Sequence, residues 1–203
     1  MGVKEKRAKY KEEFRQEILK SARELFINDG YEAFSMRRLA KKIDYSPTTI
    51  YQYFKDKDEL LIAICEELAE RFLANLSRIR ANISEPLDAL RHALLYLIDF
   101  GGNNPNEYKV FFFMRPNVYG THEEFMERES MARNSYLEFR KIVQECIDAG
   151  KLRPMDIDVL TQVLATATHG LIVMTNYNIR FPWADRKVLA ETLVDGLLRG
   201  LQT

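Results

Sequence analysis

Apolar residues recur at three- and four-residue intervals along nearly the whole chain, and no stretch alternates with period two, so the pattern predicts an all-α protein. Phe14, Ile18, Ala22, Leu25 and Phe26 share a face and predict a helix from about Tyr10 to Asn28, with Asn28-Asp29-Gly30 as its stop. Ser35 caps a short second helix. Phe34 and Leu39 flank its start with the spacing of a hydrophobic staple, and Leu39, Ala40 and Ile43 point inward. Ser46 followed by Pro47 announces a third helix, a capping hydroxyl before a residue that needs no donor at the first helical position. This helix is expected from Pro47 to about Phe54. Ile50 and Phe54 anchor it, while Thr48, Tyr51 and Gln52 lie outward with Thr49 and Tyr53 flanking.

Asp56 and Glu59 then form a capping-box-like start for a fourth helix through Leu60, Leu61, Ile64 and Leu68. That helix is predicted over 57–82, and further ones over 86–100, 106–115, 122–149, 156–179 and 185–200. Breaks fall near Ser84 to Pro86, Gly101 to Pro105, Pro116 to Thr121, Gly150 to Pro154 and Phe181-Pro182. Two domains are expected, residues 1–57 and residues 58–203. The link between them should be helical.

Charge separates the same two parts. Residues 1–57 hold 14 Lys+Arg and 9 Asp+Glu, a net of +5, so the remainder carries −5 although the chain as a whole is neutral. A basic end of this size suits a polyanionic partner, and the neutral total says nothing against one. Arg37, Arg38, Lys41 and Lys42 on the second helix are placed to meet phosphates where such a helix crosses a DNA backbone. Lys4, Lys6, Arg7, Lys9 and Lys11 suggest a disordered basic arm ahead of the first helix, or simply a solvated tail.

Two short helices joined by a four-residue turn, the second with a hydrogen-bonding outer face, have the geometry of a helix-turn-helix. From about Phe14 to Leu61 the chain resembles the amino-terminal DNA-binding domain of the TetR/AcrR family of transcriptional regulators. The resemblance rests on Leu25-Phe26, Gly30-Tyr31, Met36-Arg37-Arg38-Leu39-Ala40, the run from Ser46 to Lys57, and Leu60-Leu61. It implies that Ser35, Arg37, Tyr51 and Lys57 position phosphates and that Pro47, Thr48, Thr49, Gln52 and Tyr53 approach base edges, with Ser46 capping their helix. Two features depart from the family pattern. Asp44 stands in the turn where glycine is usual, a tolerable exchange because Asp accepts left-handed backbone angles. The recognition helix also has no Arg or Lys before Lys55, which leaves Arg37 for any bidentate guanine contact.

The apolar stripes of the last two helices, Val159, Leu160, Val163, Leu164, Ala167, Leu171 and Met174, then Val188, Leu189, Leu193, Leu197 and Leu198, must be buried somewhere. The resemblance implies a homodimer through these helices, binding a double-stranded DNA operator as an inverted repeat; a monomer burying both stripes internally is the alternative. Phe111 to Met114 is apolar all round a helix and is expected to be buried. With Phe112, Phe113, His169, Tyr177 and Trp183 as the leading contacts, an aromatic, Met-rich core would suit a mostly apolar small-molecule effector. Thr168-His169-Gly170 also resembles the His-Gly element of one carboxy-terminal subgroup of the family, without its usual upstream Trp.

Other classes find less support. The three histidines, His92, His122 and His169, lack zincin spacing, and neither a phosphate-binding glycine loop nor a Gly-x-Ser-x-Gly turn is present, so neither an enzyme nor a cofactor is expected. A membrane-surface adaptor would need a basic helix facing a Trp/Phe/Leu face, whereas the basic cluster here lies on the helix-turn-helix. No unbroken apolar run approaches the roughly 20 residues of a membrane span and no secretory signal is evident, so a cytoplasmic protein without a membrane partner is expected. Cys65 and Cys146, each inside a helical pattern, read as buried free thiols.

Overall fold

The computed structural model describes residues 2–114 and 118–203. They form ten α-helices and, among the described residues, no strand beyond an isolated bridge between Leu152 and Gln202, so the protein is all-α. The chain divides into two compact units, Met1–Leu68 with Lys109–Arg128 and Ala69–Tyr108 with Glu129–Thr203.

In the first unit, α1 (Val3–Ala33) starts well before the apolar stripe does. Gly2 caps it in an extended conformation, its amide donating to the Glu5 carboxylate at 2.8 Å. The Lys- and Glu-rich residues that follow are good helix formers, so the basic segment is helical and not a disordered arm. The expected stop is present as an interruption: Gly30 takes φ +79° and ψ 170°, a conformation open to glycine, before one last turn to Ala33. α2 (Met36–Lys42) is capped by Ser35, whose hydroxyl accepts from the Arg38 amide at 3.2 Å. Asp44 closes the turn at φ +58°, the left-handed conformation expected of it. α3 (Pro47–Tyr51) is shorter than predicted, although the Tyr53 and Phe54 amides still bond to the Ile50 carbonyl at 2.9 and 3.0 Å. Phe14, Ile18, Leu19, Ala22 and Phe26 of α1 meet Leu39, Ala40, Ile50 and Phe54 in one core, and Phe26 stacks on Phe34 at 4.1 Å. Each fully buried Leu or Ile of this set contributes about 1.5–3 kcal/mol by leaving water.

α4 (Lys57–Asn82) begins with Asp56 accepting from the Glu59 amide at 2.9 Å, as the sequence suggests. Its first turns belong to the first unit and its remainder to the second. In the second unit α5 (Pro86–Asn103) buries Leu90, Leu94, Leu97 and Ile98 and packs against α8 (Met131–Asp148), α9 (Ile157–Tyr177) and α10 (Arg186–Leu201). Arg80 of α4 bonds Glu138 and Glu145 of α8 at 2.7 and 3.1 Å, and Arg91 of α5 forks onto Asp195 of α10.

Three further expectations change. The single helix predicted over 122–149 is two, α7 (His122–Glu127) and α8, because buried Ser130 caps a new helix by accepting from the Arg133 amide at 3.1 Å. α6 (Pro105–Phe112) ends before Phe113, which is exposed where the apolar run had suggested burial; the rest of the predicted helix and the Pro116 break reach Arg115 to Asn117, outside the described residues. Finally, α9 is long and apolar enough, by length and composition, to cross a membrane. A search for unbroken apolar runs misses it because Thr, Gln, Asn and His interrupt the pattern without adding charge. Only 28% of that stretch is buried.

Candidate nucleic-acid interface and effector residues

The recognition helix owes its position to one capping hydroxyl and two anchors. Ser46 Oγ accepts from the Thr49 amide at 3.1 Å and bonds the Thr49 hydroxyl at 2.9 Å, while Pro47 occupies the first turn without a donor to satisfy. Ile50 and Phe54 are buried beneath. Thr48, Tyr51 and Gln52 are consequently exposed and Thr49 is half-buried, the arrangement read from the helical period. The Tyr53 ring meets Phe14 edge-on at 5.2 Å, so it packs against α1 while keeping part of its surface in solvent.

The cations around this helix divide by partner. Arg38 bonds the Asp29 carboxylate at 2.8 Å and the Ala33 carbonyl at 2.9 Å, and Lys42 pairs with Glu24 at 2.9 Å. The hydrogen bond and charge of Lys42 hold the Glu24 carboxyl below its ordinary range. These two therefore brace α2 on α1. Among the described residues Arg37 and Lys41 make no ion pair and are exposed, which leaves them available to phosphates. Ser35 divides its hydroxyl between capping and the surface. Lys57 is aimed by Tyr31: its Nζ donates to the Tyr31 carbonyl at 3.1 Å and lies 3.9 Å from the centre of the Tyr31 ring. Sequence reasoning misses this part played by Tyr31, although Gly30-Tyr31 is among its signals.

The expected effector residues lie in both units. Phe112 and Phe113 belong to the first, the former half-buried and edge-on to Phe111 at 4.6 Å. In the second unit the His169 Nδ1 and the Tyr108 hydroxyl share a hydrogen bond. Burial lowers the His169 pKa to about 4 and pushes the Tyr108 phenol up, so both are neutral near pH 7. Gly101 lets this pair sit tightly, since a Cβ there would lie 2.8 Å from Ile172 Cγ2 and 2.9 Å from Tyr108 Cδ2. Tyr177 is exposed and donates to the Pro105 carbonyl at 3.1 Å. Trp183 donates to the Asn178 carbonyl at 3.0 Å and packs on Phe181 at 4.4 Å, within the connection between α9 and α10. No cluster of metal-binding side chains occurs among the described residues. Cys65 and Cys146 are buried free thiols, each pushed up to about 12 by loss of solvent.

A capped, anchored helix with an outward hydrogen-bonding face, set after a left-handed turn and flanked by unpaired cations, is a helix-turn-helix DNA-binding element. Residues 18–64 match the family described as bacterial regulatory proteins, tetR family. The match takes in the helix-turn-helix segment, which is similar to that of this family. Solved structures share the fold over nearly their full length. A TetR/AcrR-family regulator from Thermobifida fusca is 24% identical, with 94% of this chain and 100% of that one covered and a TM-score of 0.67. The TetR-family regulator PfmR from Thermus thermophilus is 22% identical, with 92% and 99% covered and a TM-score of 0.67. The regulator FadR from Bacillus subtilis, solved with stearoyl-CoA, is 17% identical, with 92% and 99% covered and a TM-score of 0.76.

Proposed function

We propose that this protein is a ligand-responsive repressor that binds an inverted-repeat operator as a homodimer and is released by a small, mostly apolar effector. Residues 1–57 take the DNA-binding role and residues 58–203 the effector and dimerisation roles. The observation that carries the reading is the apolar surface left outside the second unit. Leu160, Leu164, Val194 and Leu198 are buried within the chain, yet Val159, Val163, Met174 and Val188 on the same two helices are exposed. Between α9 and α10 runs an open groove of about 460 Å³ lined by Val163, Leu193, Gly196, Leu197 and Gly200. An added Cβ at Gly196 or Gly200 would meet nothing within 4 Å in this chain, which leaves room for a second copy's helix. A symmetric pairing through this face supplies two recognition helices, to be set about 34 Å apart for successive major grooves.

On the DNA, Thr48, Gln52 and Tyr53 read bases, Gln52 pairing with adenine and the Thr48 or Pro47 carbons touching a thymine methyl, while Ser35, Arg37, Tyr51 and Lys57 hold phosphates. In the second unit, His169, Tyr177 and Trp183 are the proposed effector contacts; Phe112 and Phe113 are candidates in the first. The stearoyl-CoA held by the Bacillus subtilis structure supports a long apolar ligand as the first class to test. Release from the operator requires the effector to favour one conformation, by about 3 kcal/mol for a roughly 150-fold loss of DNA affinity.

The test is selection of randomised duplex DNA by the full-length protein at about 0.15 M salt, where non-specific contacts are partly screened. Enrichment of an inverted repeat, then released by an acyl-CoA series, is the expected result. A folded dimer that enriches no sequence overturns the operator reading, and an operator complex indifferent to every apolar ligand overturns the effector reading.

A further inference from the structure

The first three turns of α1 carry charges on opposite sides. At about 100° per residue Lys4, Arg7, Lys11 and Arg15 fall on one stripe, whereas Glu5, Glu12 and Glu13 lie away from it. The acidic side is internally occupied: Glu5 takes the Gly2 amide, Glu13 pairs with Lys9 at 3.6 Å and Glu12 with Arg15 at 3.8 Å. Among the described residues Lys4, Arg7 and Lys11 have no carboxylate partner, and all three are exposed.

Contacts made by Phe14, Lys11 and Arg15 fix where this stripe faces. Phe14, on the stripe's edge, packs on Tyr45 of the turn at 4.4 Å and on Tyr53 at 5.2 Å. The Lys11 ammonium lies 6.0 Å from the centre of the Tyr53 ring, and the Arg15 guanidinium 5.4 Å from that of Phe54. The neighbouring Tyr10 hydroxyl raises the Tyr45 phenol pKa. The stripe therefore starts beside the end of the recognition helix and continues along α1 toward its amino terminus.

We propose that Lys4, Arg7 and Lys11 form a second DNA-contact site, a helical extension that binds backbone phosphates flanking the base pairs read by the recognition helix. From Lys4 to Lys11 the stripe spans about 10 Å, which matches roughly three successive phosphates of one strand. The contact is sequence-independent and lengthens the footprint of each subunit. It rests on the operator reading above.

The experiment compares full-length wild-type protein with two charge-matched variants, Lys4→Gln with Lys11→Gln, and Lys6→Gln with Lys9→Gln, each checked for unchanged helix content. Binding is measured on the selected inverted repeat trimmed to its ends and on the same duplex with about ten flanking base pairs a side, across a salt series. Wild type should bind the longer duplex more tightly and with a steeper salt slope. K4Q/K11Q should lose roughly tenfold on the longer duplex alone and lower the slope, while K6Q/K9Q stays within about twofold of wild type. Equal wild-type affinity for the two duplexes, or equal losses in the two variants, overturns the extension and leaves the operator reading intact. Failure of wild type to retain any duplex overturns both.

Discussion

Lys57 reaches the first unit's surface across the face of Tyr31, with its ammonium held between the Tyr31 ring and the Tyr31 carbonyl. The Tyr31 hydroxyl in turn bonds the Asp58 carboxylate, so a residue next in sequence to Lys57 fixes the ring on which Lys57 rests. A flexible lysine aimed in this way loses less freedom on meeting a phosphate. Lys57→Ala should weaken binding to every duplex and reduce the salt slope by about 1 per subunit contact, in a filter-binding series over salt. A loss confined to one sequence would contradict a phosphate role.

Gln52 is exposed beyond the last residue of α3 and does not support the core. Gln52→Ala should therefore relax preference at one position of each half-site while leaving the salt slope unchanged, as read by repeating the selection with the variant. The effect expected is about 1–3 kcal/mol of lost discrimination at that base. A uniform loss across all sequences would remove Gln52 from the base-reading set.

The His169 imidazole gives the fold an acid sensitivity of known sign. Burial lowers its folded pKa from 6.5 to about 4, so the unfolded chain takes up the proton first as pH falls. Its contribution is complete above pH 6.5, declines between 6.5 and 4, and is gone below that. The amount lost is about 3 kcal/mol. Denaturant titrations of wild type and His169→Gln should converge as pH falls through this window; parallel curves would mean that His169 is as easily protonated folded as unfolded.

Val163 is exposed on the α9 side of the groove, so a charge there harms the chain itself little and the proposed subunit contact severely. Val163→Glu should yield a helical monomer in sedimentation and lose operator binding by more than about tenfold, because burying an unpaired carboxylate costs several kcal/mol. A dimeric Val163→Glu protein would place the interface elsewhere.

Gly101 supplies the close approach of α5 to the Tyr108 and Ile172 side chains. Gly101→Ala should destabilise the protein by about 1–3 kcal/mol through overpacking, outweighing the gain in helix propensity. Chemical denaturation measures it, and a stabilised variant would show that the two neighbours move aside easily.

Local rules are readable wherever one residue decides the backbone. Asp44 in a left-handed turn, Ser46-Pro47 at a helix start and Ile50 with Phe54 beneath it follow from sequence because each rests on steric limits or on the helical period. Features set by remote partners are not. The early start of α1 is hidden because apolar spacing begins only at Phe14, and Arg38 reads as a phosphate ligand as long as Asp29 is not known to lie beside it. The break before α8 contains neither glycine nor proline, so Ser130 reads as one more helical residue. Phe113 is misjudged because hydrophobicity reports a preference for burial, not the end of α6 that turns the side chain out.

The two cysteines make the protein a ready background for site-directed spectroscopy. Cys65 and Cys146 are almost wholly enclosed, and pushing their pKa up to about 12 leaves negligible thiolate at neutral pH, the form that reacts with maleimides and methanethiosulfonates. A new cysteine at exposed Thr48 would take up a spin label or dye selectively without first deleting the native thiols. In a symmetric pair, that single attachment point reports the separation of the two reading heads directly, with and without an added ligand.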